Sequence, residues 1–197
     1  MEIELIRHGE TLWQGQKRYQ GRSDVPLSPA GRQALRPAEH CPAVVYVTAL
    51  CRTGETAAIL FPQARQVAVP GLEEMDFGAF EGRNFQDMAD DPAYRSWVEG
   101  GCLGPCPQGE SKGDFCRRVC RSFEELMQAA LGRGEKTLTL VVHGGTVMAL
   151  MERYGLPRRS YFQWHIGCGE GLLLRADNWP EEKTLRLLSR RNYTEGT

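Results

Sequence analysis

At 197 residues, with 41% hydrophobic and 25% charged side chains, the chain has the make-up of one soluble globular domain. A formal net charge of −1 argues against a broad nucleic-acid surface, so any anion binding has to come from a few locally placed arginines. No apolar run reaches the roughly 20 residues a membrane helix needs. The segment MEIELIRHGE carries acids where a signal peptide would be basic, so a cytoplasmic protein without nucleic-acid or membrane partners is expected.

Seven cysteines, an odd number without an export signal, read as reduced thiols. Cys102/Cys106 and Cys116/Cys120 have spacings that some zinc sites use. Cys116 and Cys120, however, fall one helical turn apart in an apolar-patterned segment, where cysteine behaves as a small hydrophobe. No metal is expected.

Residues 1–7 form a short strand of buried type. A polar loop covers 12–27, and Ser28-Pro29 opens a helix, serine as N-cap and proline in the first position, that runs to about Ala38. AVVYVT (43–48) is a β-branched strand, 51–60 is helical, and QVAVP (66–70) is a strand closed by proline. A loop through Gly78 and Gly82 leads to short helices ending near Val98. GGCLGPCPQGES (100–111) is too rich in glycine and proline for regular structure. The longest helix runs from Glu110 to about Leu131, with Phe115, Val119, Phe123, Leu126 and Met127 on one face. TLTLVVHGG (137–145) is a strand ending in glycines, and TVMALMERYG is a helix closed by Gly155. Two further strands are expected at 171–175 and 184–189.

Strands alternating with helices predict an α/β three-layer sandwich, a mostly parallel sheet flanked by helices, in a single domain over 1–197. Ligands of such sheets bind beyond the carboxyl ends of the strands. His8 and His143 each follow a hydrophobic strand directly and precede a glycine. Singly, each reads as a hydrogen-bonded structural residue; together, at strand ends, they read as a site. Arg52 sits at the start of a helix that follows a strand, where free N–H groups and a guanidinium fork can hold an anion.

RHGET (7–11), LCRTGETA (50–57), LEEMDFGAFEG (72–82) and VVHGG (141–145) resemble, in order, the four motifs of the histidine phosphatase superfamily, whose fold is that of the cofactor-dependent phosphoglycerate mutases. The resemblance implies that His8 is the nucleophile and takes the phosphoryl group as a phosphohistidine. It implies that Arg7, Arg52 and His143 hold the phosphate oxygens, that Glu74 is the proton donor, and that Gln20, Gly21 and Gly144 lie on the substrate side. Phosphoryl transfer needs positioning and charge stabilisation on three equatorial oxygens, which two guanidiniums and an imidazole supply without metal or cofactor. Nearby arginines would keep His8 neutral, and a substrate dianion would favour charged His143.

The chain departs from the family at Trp13-Gln14, where Trp-Asn is common, so Gln14 is left out of the site. PQGES (107–111) is similar to the family's Pro-Gly-Glu-Ser turn, with Glu110 and Ser111 as helix caps. The expected function is a phosphomonoesterase of histidine acid phosphatase type acting on a small phosphate ester. The alternatives are an α-ribazole phosphatase of cobalamin assembly, which EMDFGAFEG resembles, a phosphoglycerate mutase, or a non-catalytic phosphate-binding protein. A kinase or dehydrogenase lacks its glycine-rich motif here. The substrate and the oligomeric state, a homodimer among the options, are left open.

Overall fold

The structure, a computed structural model, describes residues 1–194; positions 195–197 of the expected domain lie outside the described residues. Seven strands form one sheet: β1 (Glu2–Arg7), β2 (Val44–Val47), β3 (Arg65–Ala68), β4 (Thr137–Val142), β5 (Gly155–Leu156), β6 (Glu170–Arg175) and β7 (Leu185–Asn192), in the order β3-β2-β4-β1-β6-β7-β5. β1 pairs in parallel with β4, β4 with β2, β2 with β3, and β5 with β7, while β6 is antiparallel to β1 and β7. The mostly parallel sheet expected from the sequence is present.

Alternation along the strands sorts side chains to two faces. Ile3, Leu5, Tyr46, Leu138, Leu140 and Val142 meet the apolar stripes of α5 (Lys112–Gly132) and α6 (Gly144–Tyr154) on one face. Ile6, Val45, Val47 and Val141 meet Ala57 and Leu60 of α3 (Cys51–Leu60) on the other. All five residues expected on the long helix's apolar face are buried there. Among the described residues no helix is long and apolar enough to cross a membrane.

The sequence-based boundaries shift in several places. The helix opened by Ser28 is short, α2 (Pro29–Ala34), because Pro37 disfavours helical backbone at Arg36. Leu35 turns extended instead, bridging to Thr194, and the Arg36 N–H donates to the Tyr193 carbonyl at 2.8 Å. The polar loop at 12–27 contains a one-turn helix, α1 (Leu12–Gly15), closed by a reciprocal cap in which Gln14 Oε1 accepts from the Thr11 N–H at 3.0 Å. A helix α4 spans Pro92–Glu99, and the long helix begins two residues late, because Ser111 rather than Glu110 is its cap. α6 takes both glycines, 144 and 145, into its first turn, and β7 runs on through Asn192.

Candidate active site

Three neighbouring strands, β2, β4 and β1, end side by side, and the residue after each of two of them is a histidine. The β1–β4 register sets Arg7 opposite Val142, and the His8 N–H extends the ladder to the Val142 carbonyl at 3.0 Å. His8 therefore stands beside His143, their rings 5.2 Å apart edge to face. Just past β2, Thr48 places Oγ1 2.9 Å from His143 Nε2. Thr48, His143 and His8 thus cross the carboxyl edge of the sheet in strand order.

The hydrogen bonds assign both ring tautomers. His8 Nδ1 lies 2.7 Å from the Gly9 carbonyl, which only accepts, so Nδ1 carries the proton and Nε2 keeps its lone pair. Burial, then the charges of Arg52 and Arg7, hold the His8 pKa well below 6.5 despite the Gly9 bond. His143 is reversed: Nδ1 accepts from Arg52 Nε at 3.3 Å, and Nε2 donates to Thr48. Burial, then Arg52, His8, Arg22 and Arg7, likewise hold it well below the ordinary value. The neutral imidazole that this bonding pattern requires is the form its depressed pKa favours.

Arg52 is completely buried, not the solvated residue its helix position allows. Nη2 donates to the Gly21 carbonyl at 2.7 Å and Nη1 to the Ser23 carbonyl at 2.8 Å. The loop 20–24 thus clamps the guanidinium while Nε faces His143. At the N-terminus of α3 the Cys51 N–H is already taken by Asp24 Oδ1 at 2.7 Å. Arg7 enters from the other side. Its Nη1 donates to the Ile166 carbonyl at 2.7 Å and lies 3.2 Å from His165 Nε2, while its Nε is buried with no partner. A buried guanidinium N–H without a partner, close enough to the His8 imidazole for its charge to lower that pKa, is a donor free to bind an anion.

Glu74 closes the site. Oε1 accepts from the Met75 N–H and Oε2 from the Gly145 N–H, each at 2.9 Å. Burial raises its pKa, and that effect exceeds the opposing pull of those N–H groups and of Arg52 and Arg7. A residue not anticipated from the sequence holds the acidic loop in place. Arg118 of α5 donates to the carbonyls of Gly71, Glu73 and Glu74 and forks onto Glu110, with both Nε and Nη2 at 2.7 Å. Glu110 therefore anchors Arg118 and accepts the Asp76 N–H; it is not a helix cap.

The three remaining expected residues fall at the rim of this group. Gly144 packs against Arg7, since a β-carbon there would lie 3.2 Å from Nε. Gly21 is held tight under Met75, whose carbonyl oxygen would be 1.9 Å from a β-carbon, and it acts through its bond to Arg52. Gln20 Oε1 accepts from Thr11 Oγ1 at 2.5 Å, while Nε2 is buried without a partner. Gln14 is engaged in the cap of α1. Thr48 was not anticipated, because a threonine ending a strand is what β-propensity alone would place there.

A lone-pair nitrogen, two arginines and an enclosed carboxyl can transfer a phosphoryl group. The family description "histidine phosphatase superfamily (branch 1)" matches residues 3–188. The chain belongs to the histidine phosphatase superfamily. Among curated relatives, this histidine phosphatase is 32% identical over 167 residues to a probable phosphoglycerate mutase GpmB of Cronobacter sakazakii, covering 80% of this chain and 76% of that one. Among solved structures it overlays on the alpha-ribazole phosphatase from Shigella flexneri with a TM-score of 0.83 and 26% identity, covering 100% and 99% of the two chains. A phosphoglycerate mutase from Thermus thermophilus gives 0.70 at 31% identity, over 97% and 98%. Phosphatase or mutase chemistry is thereby supported for this histidine phosphatase.

Proposed function

We propose that the protein is a phosphomonoesterase that acts on a small phosphorylated metabolite through a phosphohistidine at His8 Nε2. The bond from His8 Nδ1 to the Gly9 carbonyl carries this reading, because it leaves the lone pair on Nε2, next to the guanidiniums that would bind phosphate. Arg7 Nε and the N–H groups of Arg52 not bonded to Gly21 and Ser23 hold phosphate oxygens, and the dianion favours the protonated His143 that can join them. Nε2 attacks phosphorus as the ester P–O bond breaks, and the Glu74 carboxyl gives its proton to the departing alkoxide. Water then attacks the phosphohistidine while the Glu74 carboxylate takes a proton from that water, the P–N bond breaks, and inorganic phosphate leaves with Glu74 protonated again. No step calls on a metal.

The higher TM-score with the alpha-ribazole phosphatase, 0.83 against 0.70 for the phosphoglycerate mutase, favours hydrolysis in this reading and makes α-ribazole phosphate one ester to test. Purified protein should hydrolyse p-nitrophenyl phosphate in the presence of chelator, and a radiolabelled ester should leave acid-labile label that His8→Ala abolishes. Label that persists in that variant would overturn the assignment. A screen of α-ribazole phosphate, sugar phosphates and 3-phosphoglycerate, ranked by kcat/KM, identifies the substrate, and interconversion of phosphoglycerates would make the protein a mutase.

A further inference from the structure

Beside the phosphate-binding side of the site lies a cavity of about 310 Å³ lined by Arg7, Gln14, Lys17, Arg18, Tyr19 and Phe85. Arg7 belongs to the reacting centre, while Phe85 comes from a loop far along the chain. One volume therefore joins the expected position of the phosphoryl group to an aromatic ring. Its size suits the organic part of a small ester.

Phe85 is 54% exposed. A lone exposed phenylalanine needs no function; this one differs in how it is held and in what it faces. Asn84 Oδ1 accepts from the N–H groups of Gln86 and Asp87 at 2.9 and 3.0 Å, closing the turn around the ring. Asp87 Oδ2 accepts from the Asn84 N–H at 3.2 Å and from Arg18 Nη1 at 2.8 Å. Tyr19 fastens the start of the same loop, its N–H donating to the Arg83 carbonyl and its carbonyl accepting from the Gly82 N–H, each at 2.9 Å. An aromatic ring presented on a braced turn loses little freedom on stacking, and it recovers apolar burial only when something flat covers it.

The other lining groups narrow the choice. The charge of Arg18 is met by Asp87, and the Tyr19 hydroxyl is paired with that of Tyr94 at 3.0 Å. Lys17 has no ion-pair partner among the described residues, and it adds one positive charge at the mouth that draws in any phosphate dianion alike. Discrimination between leaving groups is left to Phe85. We infer that Phe85 determines specificity, and that the cavity takes esters whose leaving group carries a flat aromatic or heteroaromatic ring, stacked on Phe85 while Arg7 holds the phosphoryl end. This rests on the phosphomonoesterase reading above.

The test compares 1-naphthyl phosphate with glycerol phosphate in the unaltered protein and in Phe85→Ala, so that leaving-group reactivity cancels within each ester. Phe85→Ala should lower kcat/KM about tenfold more for the naphthyl ester, mostly through KM, and Phe85→Tyr should restore it. Lys17→Ala should weaken both esters equally, with the loss fading as salt rises. Equal effects of Phe85→Ala on the two esters, with hydrolysis otherwise intact, would overturn the inference alone. Failure of the unaltered protein to hydrolyse either ester would overturn the phosphomonoesterase reading and this inference with it.

Discussion

The Gly145 N–H donates to Glu74 Oε2 at 2.9 Å, and a β-carbon at position 145 would stand 2.1 Å from Glu74 Oε1. Absence of a side chain at 145 is therefore what admits the carboxyl to its place. The obstructed atom is the far end of a flexible side chain, so Gly145→Ala should displace Glu74 without disturbing the fold. Thermal stability should stay within about 1 kcal/mol, since alanine is the better helix former. Turnover should fall about ten- to a hundredfold if the displaced carboxyl is the proposed proton donor. Steady-state kinetics beside a thermal melt check this, and unchanged kcat would show that the position of the carboxyl does not matter.

Glu74→Gln separates placement from proton transfer. The amide can keep a contact with one of the two N–H groups but gives no proton to a leaving alkoxide. Alkyl esters, whose leaving groups need protonation, should lose about a hundredfold or more in kcat, and aryl esters such as p-nitrophenyl phosphate should lose much less. A variant that slows both classes equally would remove Glu74 from its acid role.

The parts legible in the sequence are those whose signal is local. His8 and His143 stood out because each directly follows an apolar strand, and the sheet order then sets them ring to ring. The apolar stripe of α5 read correctly because period and burial agree over the whole helix. What escaped depends on partners remote in the chain. Arg118 lies among Arg117 and Arg121 and reads as part of a solvated face, yet its guanidinium holds three carbonyls of the acidic loop. The carboxylate on the first N–H of α3 was equally invisible, because Asp24 is separated from Cys51 by 27 positions. Likewise α2 ends early through a contact between Leu35 and Thr194 that no local pattern announces.

Both buried histidines should make the fold acid-sensitive. Their folded pKa values are depressed below 6.5, first by burial and next by Arg52. Above pH 6.5 neither the folded nor the unfolded chain protonates these rings, and their stabilising contribution is fully present. As pH falls below 6.5 the unfolded chain binds protons that the folded one refuses, and stability falls by about 1.4 kcal/mol per pH unit for each ring. The raised pKa of Glu74 acts in the opposite sense over its own range, as one group against two. Urea unfolding at pH 7, 6 and 5 should give a midpoint that drops at each step. A midpoint that stays flat over that window would mean that at least one ring is charged in the folded state.

Arg7 depends on a neighbour that also titrates. Its Nη1 donates to the Ile166 carbonyl at 2.7 Å and reaches His165 Nε2 at 3.2 Å, which fixes the guanidinium and leaves Nε free for the phosphate contact proposed above. Neutral His165 can accept that bond; protonated His165 cannot, and would face Arg7 and Arg190 with only Glu170 to offset them. Burial, then Arg7, lowers the His165 pKa from 6.5, so the change falls below that pH. His165→Ala should raise KM about three- to tenfold with little change in kcat, because the Ile166 carbonyl still holds Arg7 in part. His165→Gln, whose carbonyl can accept from Nη1, should recover most of the loss and should also remove the extra rise in KM that the unaltered protein shows in acid. If KM rises in acid as steeply in His165→Gln as in the unaltered protein, His165 does not position Arg7.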